Sequence, residues 1–532
     1  MILATAFAVV VPFFFFGIPS GHDFEFHMNS WMEVLSQWRQ GVLYPRWAAL
    51  AHYGYGEPRF VFYPPASWIL GAALGAVLPW PLAPAAYQWL ALALSGCSMF
   101  LLARRWLGRN DAIFAAALYA ANPYYLVIVY WRSAYAELLA GALLPLLLLL
   151  VLRLEDEGRK WIVPLGLVVA LGWLTNAPSA VMINYSLLFM LILIALRRRS
   201  PRVLVEGGLA ILLGAGLAAF YIVPATYEQR WVDISQVVAE GVRPQDNFLF
   251  ARIDDPRHNQ FNRLVSVLAL AEMAGLVVAA VSGRRWRRQM PQASWLVAAW
   301  AAGSAALLFS ITSPVWNHFP KLRFVQLPWR WLLCFNVAFA LLITTAWRRW
   351  LPRLLLYAVM LLVLAFAGHR FQTPWWDHTP EIAKLAQSIR DSSGYEGTDE
   401  YTPIDADGYE ISREARRVAF QGQGTDQIHV LEWGPESKFF TAQVGSSGQL
   451  LLRLFNYPAW RVEVNGRVVP AVSLELNGEI TIPVDAGENQ VRITFSRTRD
   501  RMIGGIVSGA SGLLMVGLGT FRRKRRPLPK SA

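Results

Sequence analysis

Cysteine is almost missing from this chain of 532 residues. Cys97 and Cys334 are its two, and both fall in apolar runs, which excludes a disulfide framework and a thiolate metal cluster. Charge is scarce as well: 16% of residues are Asp, Glu, Lys or Arg against 55% hydrophobic ones, and the mean hydropathy is +0.34. A soluble globular fold has no interior large enough for that much apolar surface. The eight histidines, at positions 22, 27, 52, 258, 318, 369, 378 and 429, show no HExxH spacing. A P-loop, a Rossmann glycine fingerprint and a G-x-S-x-G elbow are missing too, so nothing points to nucleotide or α/β-hydrolase chemistry.

What is present is a series of apolar runs of roughly 15 to 21 residues, each near the length a helix needs to cross about 30 Å of hydrocarbon. The chain is therefore an α-helical polytopic membrane protein. Its net charge of +13 sits in clusters at Arg104/Arg105/Arg109, Arg159/Lys160, Arg197 to Arg202, Arg284 to Arg288, Arg348/Arg349/Arg353 and Arg522 to Arg526. Every second loop carries one, the positive-inside pattern of cytoplasmic loops, which argues against a nucleic-acid partner. Residues 2–18 lack a basic n-region and a small-x-small site, and read as a retained first span.

Parity decides one ambiguous region. Two spans between residues 64 and 103 would put the Arg104 cluster on the same side as His22, so 64–78 is read as an interfacial or re-entrant helix. About twelve transmembrane helices result, near 2–18, 83–103, 112–130, 137–152, 161–175, 180–196, 203–223, 263–283, 294–311, 331–346, 354–368 and 502–520. Three domains are expected: 1–368, with outer loops 19–82 and 224–262; 369–501, extracytoplasmic; and 502–532, the last helix with a basic tail. Within the second, LLLRLF, WRVEVNG, VSLELNG, EITIPV and NQVRITF alternate as strands do and are separated by Gly-containing turns. They predict a β-sandwich over about 420–500.

The first outer loop carries the chemistry. Phe24, Met28, Trp31, Leu35 and Trp38 follow helical spacing with Glu33, Gln37 and Gln40 elsewhere on the wheel, the pattern of an interfacial amphipathic helix. Asp23 and Glu25 stand at its N-terminal end, where a carboxylate serves either as a helix cap or as a reactive group. Glu137, in WRSAYAELLAG, is a second acidic site on the same membrane face. It can act as a base, hold a divalent cation with Asp23 and Glu25, or pair with Arg132. Outward basic residues are few, and Arg59, Arg132, Arg230, Arg323 and Arg330 are candidates to bind a phosphate, with a Glu57 pair as the alternative for Arg59. His27, four residues from Asp23, and Tyr55 and Tyr63 are candidates to touch substrate; an interfacial aromatic belt explains the tyrosines equally.

An acidic motif in the first outer loop, a Pro-Pro interfacial helix and a second acidic site together resemble the GT-C superfamily of polytopic glycosyltransferases. More closely, HDFEFHMNSW, GVLYPRWAALAHYGYGEPRFVFYPP, RSAYAELLA, LTNAPSAVM and LPWRW resemble bacterial membrane proteins called 6-pyruvoyl-tetrahydropterin synthase-related. NYPAWRVEVNGRVVP and IPVDAGENQVRITF are similar to the tail of YfhO-like membrane proteins. Pterin synthase chemistry itself needs a zinc-binding histidine cluster, which the sequence lacks. The resemblance implies that Asp23 is the first-loop catalytic acid, that Glu25 completes a D-x-E variant, and that Glu137 stands for the second-loop motif, where a D-x-D is absent.

It further implies a glycosyltransferase of the bacterial cytoplasmic membrane. Such an enzyme takes sugar from a polyprenyl-phosphate donor to a hydroxyl of a glycan, lipid or protein acceptor on the outer face, with inversion and Asp23 as base. The alternative is a transporter or assembly factor for lipid-linked glycans, although transporters commonly show internal repeats that are not evident here.

Overall fold

The computed structural model describes residues 1–283, 285–290, 293–347 and 349–524. Arg284, Arg348, Arg525 and Arg526 of the basic clusters lie outside the described residues. Among the described residues, eight helices are long and apolar enough to cross a membrane, or up to ten if each of two bent pairs is one span. The bends, 74° between Arg202–Leu217 and Ala219–Trp231 and 93° between Ser294–Ala306 and Ser310–His318, divide the expected spans 203–223 and 294–311. The expected spans 137–152 and 161–175 fall in one helical stretch of 41 residues, Tyr135–Thr175. Gly158, at φ 69°, breaks that stretch, and Leu143–Glu157 packs back on Ile162–Thr175. Two shorter apolar helices, Ile2–Phe16 and Pro65–Val77, stand at the positions of the expected first span and of the 64–78 segment, and neither is among those eight to ten.

Burial orders the bundle. Pro328–Ala346 is enclosed on every side, while Arg499–Leu518 packs on Arg202–Leu217 and Ala219–Glu228 along one side and leaves the rest of its surface uncovered. The first is apolar all round because it has only protein neighbours; the second turns its aliphatic surface outward, as a peripheral membrane helix does.

Residues 418–495 form two antiparallel sheets. One runs Val418–Gln421, Gly448–Phe455, Glu479–Val484, Val472–Ser473, and the other Asp426–Trp433, Ser437–Val444, Gly487–Phe495, Trp460–Val464, Arg467–Val469. Phe440, Leu450, Leu452, Val462, Ile480, Ile482, Val491 and Ile493 alternate along their strands and form the core between the sheets. Asn465 and Gly466, at φ 51° and 78°, make the tight turn after WRVEV, as the Asn-Gly pair requires. VSLELNG yields only the two-residue strand Val472–Ser473, and three strands between 418 and 444 precede the predicted ones.

This sandwich is seated on the first loop. Its core continues into Trp47, Tyr55, Val61 and Phe62, and the Phe455 N–H donates to the Tyr55 carbonyl at 3.0 Å. Tyr55 is thereby corrected as a substrate contact: it is fully buried, packs on Phe455, and its hydroxyl donates to Ser412 O at 3.1 Å. The same cover changes the Phe24–Arg39 helix. Its expected polar face is not open to water, because Glu33 and Gln37 are buried and Glu33 accepts from the Tyr395 hydroxyl and from Leu50 N–H. Only Gln40 remains exposed.

Arg59 belongs to this interior as well, which corrects its expected role in phosphate binding. Its Nε donates to Glu57 at 2.5 Å and its Nη1 to Ser30 Oγ at 3.1 Å, between the rings of Phe26 and Tyr395. Glu57, fully buried, also meets His52 Nε2 at 3.0 Å and accepts from Thr398 N–H at 2.9 Å, tying the segment after the bundle to the loop. Burial alone would raise the Glu57 carboxyl, but Arg59, and after it His52, hold it down at about 2. Its folded value is below its unfolded one, so its contribution is complete above the ordinary carboxylate range, near 4.5, and is lost as pH falls toward 2. Limited proteolysis across pH 6 to 2 should therefore show the 396–402 segment becoming cleavable in that window in the native protein, and earlier, near neutral pH, in Glu57→Gln.

Candidate functional site

The site is assembled where the first loop meets the break between two bundle helices. Pro123–Val127 is capped by Asn122, whose side chain accepts from Tyr125 N–H, and leads into a π-helical turn, Ile128–Arg132, closed by Ser133 at φ 51°. That turn leaves carbonyls free, and the entry to the Phe24–Arg39 helix takes them up. Asp23 N–H donates to Arg132 O at 2.8 Å, His22 N–H to Trp131 O at 3.3 Å, and Gly21 N–H to Ser133 Oγ at 3.0 Å. No side chain fits at position 21, since a Cβ there would lie 2.3 Å from Trp131 O. Gly21→Ala should lower stability by about 1–3 kcal/mol, read as a fall in melting temperature, and displace Asp23 from its seat.

Asp23 occupies the N-cap position, yet its side chain makes no capping hydrogen bond. Its carboxylate instead faces Arg132, with Oδ2 at 3.5 Å from Nη2, and its side chain is 38% exposed. Behind Arg132 lies Glu137, 2% exposed. Arg132 Nη1 and Arg330 Nε, the latter at 3.0 Å, both donate to Glu137 Oε2, and the Tyr124 hydroxyl donates to Oε1 at 2.7 Å. Arg330 is fixed further by Val325 O and Gln326 Oε1, at 2.8 and 3.0 Å, and the Arg132 guanidinium stacks on Trp329 at 4.8 Å. The result is an alternating row, Asp23, Arg132, Glu137, Arg330, with Asp23 as its most exposed member.

That row corrects the reading of Glu137 as a base or metal ligand. A buried carboxylate that accepts from two guanidiniums and a phenol is spent on those partners, and it sets the two arginines in place. Glu25 does not join it. Two residues beyond Asp23 on a helix, it points elsewhere, is exposed, and is raised by partial burial and then by the nearby Asp377 and Glu396 carboxylates. Asp23, Glu25 and Glu137 thus do not converge on a cation, and among the described residues no group of three His, Cys, Asp or Glu side chains could hold one.

The remaining expected residues divide. His27 is fully enclosed, with Trp31, Tyr63 and Tyr135 rings at 5.9, 5.8 and 5.2 Å, and burial takes it down to about 4 against the opposing pull of Asp23. It is a neutral packing residue beneath Asp23, which corrects its assignment to substrate. Tyr63 is half-buried; burial, and then the Asp23 carboxylate, keep its phenol protonated. Arg230 stacks on Tyr227 at 3.7 Å on an exposed turn, and Arg323 is exposed in the Leu322–Val325 turn; no described contact joins either to the row. Tyr124, Gln326 and Trp329 were not singled out in the sequence. Trp329 lies within LPWRW and Tyr124 beside an Asn-Pro helix start, but nothing in their spacing discloses that they meet Glu137 and Arg132.

A family model for the 6-pyruvoyl-tetrahydropterin synthase-related domain, a membrane protein, matches residues 60–372, more than half of the chain. The chain belongs to this family. The region matched in the 6-pyruvoyl-tetrahydropterin synthase-related family contains Arg132, Glu137 and Arg330, while Asp23 and the sandwich lie outside it. No curated protein matches the chain. Among solved structures it is similar to the apo form of the Archaeoglobus fulgidus oligosaccharyltransferase, at 15% identity and a TM-score of 0.38, over 75% of this chain and 56% of that one. The same values hold for the oligosaccharyltransferase AglB of that organism in complex with an inhibitory peptide and a dolichol-phosphate. The chain spans little more than half the length of the solved structures it matches.

Proposed function

We propose that this membrane protein is a glycosyltransferase of the GT-C type, which moves a sugar from a polyprenyl-phosphate donor to an acceptor hydroxyl on the outer face of a bacterial cytoplasmic membrane. The observation that carries the reading is the Asp23 carboxylate: partly open to solvent, unused as a helix cap, and set beside a guanidinium whose inner side is neutralised by Glu137. In the step proposed, the acceptor O–H gives its proton to Asp23 as its oxygen bonds to the anomeric carbon. The bond from that carbon to the phosphate oxygen breaks on the opposite side, with inversion, and the electron pair leaves with the lipid phosphate. Arg132 and Arg330 stabilise the charge gathering on that phosphate. Glu137 acts through them, as a positioning residue.

The first loop, the sandwich and the charged row stand at one end of the bundle, which under the positive-inside reading is the extracytoplasmic end. The test is incubation of the purified protein in lipid nanodiscs with a panel of polyprenyl-phosphate sugars and hydroxyl acceptors. Release of polyprenyl phosphate together with a glycosylated acceptor of inverted anomeric configuration is the result expected. Tight binding without turnover across the panel would replace the enzyme by a carrier of lipid-linked glycans.

A further inference from the structure

A cavity of about 120 Å³ lies at the seam between the C-terminal half of the Phe24–Arg39 helix and the sandwich. The helix contributes Ser36, Gln37 and Gln40 to its wall, and the sandwich side contributes Arg417, Lys438 and Arg453. It is separate from the charged row, none of whose four residues lines it.

Its charge is unbalanced. Glu33 is the one carboxylate in the lining, and it is already engaged by the Tyr395 hydroxyl, by Leu50 N–H and by the Gln37 amide, the last two at 3.1 Å. Arg417, Lys438 and Arg453 therefore meet no free carboxylate among the walls, the Lys438 ammonium donating instead to Gly434 O and Pro435 O at 2.8 and 3.0 Å. Burial lowers Arg453, and Arg417 lowers it further against the opposing pull of Tyr55. Burial likewise brings Lys438 down to about 7. An anion placed between them would reverse both effects.

Its hydrogen bonding is incomplete as well. Gln37 is 1% exposed, and its Oε1 has no protein partner although its Nε2 donates to Trp47 O at 2.8 Å; Arg453 Nε is likewise buried and unpartnered. Interiors seldom leave such atoms unsatisfied. A buried acceptor beside buried cationic donors suits a ligand that carries both hydroxyls and a negative charge. A bare inorganic anion would use the arginines and leave Gln37 Oε1 without a partner. Trp433, also in the wall, offers a ring face. The volume is about four times the share of one water in the liquid, and the exposed Gln40 and Arg417 leave it open on one side.

We propose that this seam binds one acidic sugar unit of the uronate class, its carboxylate held by Arg417 and Arg453 and its hydroxyls by Gln37, Ser36 and Gln40. The inference stands apart from the glycosyltransferase reading, because binding here involves none of the residues assigned to transfer.

The test is isothermal titration of the full-length protein in nanodiscs with glucuronate, glucose and inorganic phosphate. Glucuronate should bind with a millimolar Kd, and glucose and phosphate each at least tenfold more weakly. Arg417→Ala, on an exposed rim position, should weaken glucuronate about tenfold without moving the melting temperature. Arg453→Met should do the same; its side chain also bonds Ala415 O and Tyr53 O, so its melting temperature is measured alongside. Asp23→Asn should leave glucuronate affinity unchanged, which separates this site from the transfer site. Absence of glucuronate binding, equal affinity for glucose or for phosphate, or unchanged affinity in Arg417→Ala overturns the proposal.

Discussion

Asp23→Asn should lower sugar transfer by about 10²- to 10⁴-fold, the range a positioned general base contributes, while the protein folds and inserts as before. The retention of fold follows from geometry. The Asp23 side chain makes no capping bond, and what seats the segment is its backbone N–H on Arg132 O, which asparagine keeps. Asparagine preserves shape and removes basicity, so the loss should appear in kcat with donor affinity nearly unchanged. Asp23→Glu should recover part of the rate, because the side chain is partly exposed and has room to extend. Full activity in Asp23→Asn would sink the assignment of the base, and a misfolded variant would mean that the carboxylate serves the Arg132 pair alone.

Glu137→Gln should have the largest effect on stability. It leaves Arg132 and Arg330 buried without their shared counter-ion, and breaking a buried pair by removing one partner costs about 3–5 kcal/mol. The measurement is a thermal melt in detergent or nanodiscs, with yield of inserted protein as a second readout. Adding Arg330→Met to Glu137→Gln should restore much of the loss, because one unpaired charge goes and Asp23 still balances Arg132. If Glu137 were instead a catalytic base, Glu137→Gln would remove activity and leave the melt untouched. The two readings therefore separate on one curve.

Asp23 and Glu137 show how far sequence reasoning reaches into the site. Both stand out because a carboxylate beside an apolar run is costly unless it is used, and the same argument marks Arg132 and Arg330. Their roles are not readable that way. Glu137 and Arg330 are 193 positions apart, and only folding reveals that a single carboxylate oxygen takes two guanidiniums. Arg59 invites a phosphate role for the same reason, that a guanidinium in an outer loop is scarce, yet Glu57, Phe26 and Tyr395 enclose it. Glu33 and Gln37 fail in the same manner: the helical wheel assumes water on one side, and another part of the chain stands there.

The sequence by itself determines that the chain is a membrane bundle, because apolar length and the placement of arginines are local properties that need no partner to be read. It also determines the sandwich from LLLRLF onward, since alternation and Asn-Gly turns act within a few residues. Val418–Gln421 escapes it, being closed by pairing with the later Gly448–Phe455, and so does the hairpin of Asp426–Trp433 and Ser437–Val444, whose second strand is completed by Gly487–Phe495. Tertiary structure alone decides which charges are spent on one another and which remain open. Burial, partner and access are set by residues far away in the chain, and on that basis Asp23 is left facing solvent while Arg59 and Glu137 are spent on buried partners.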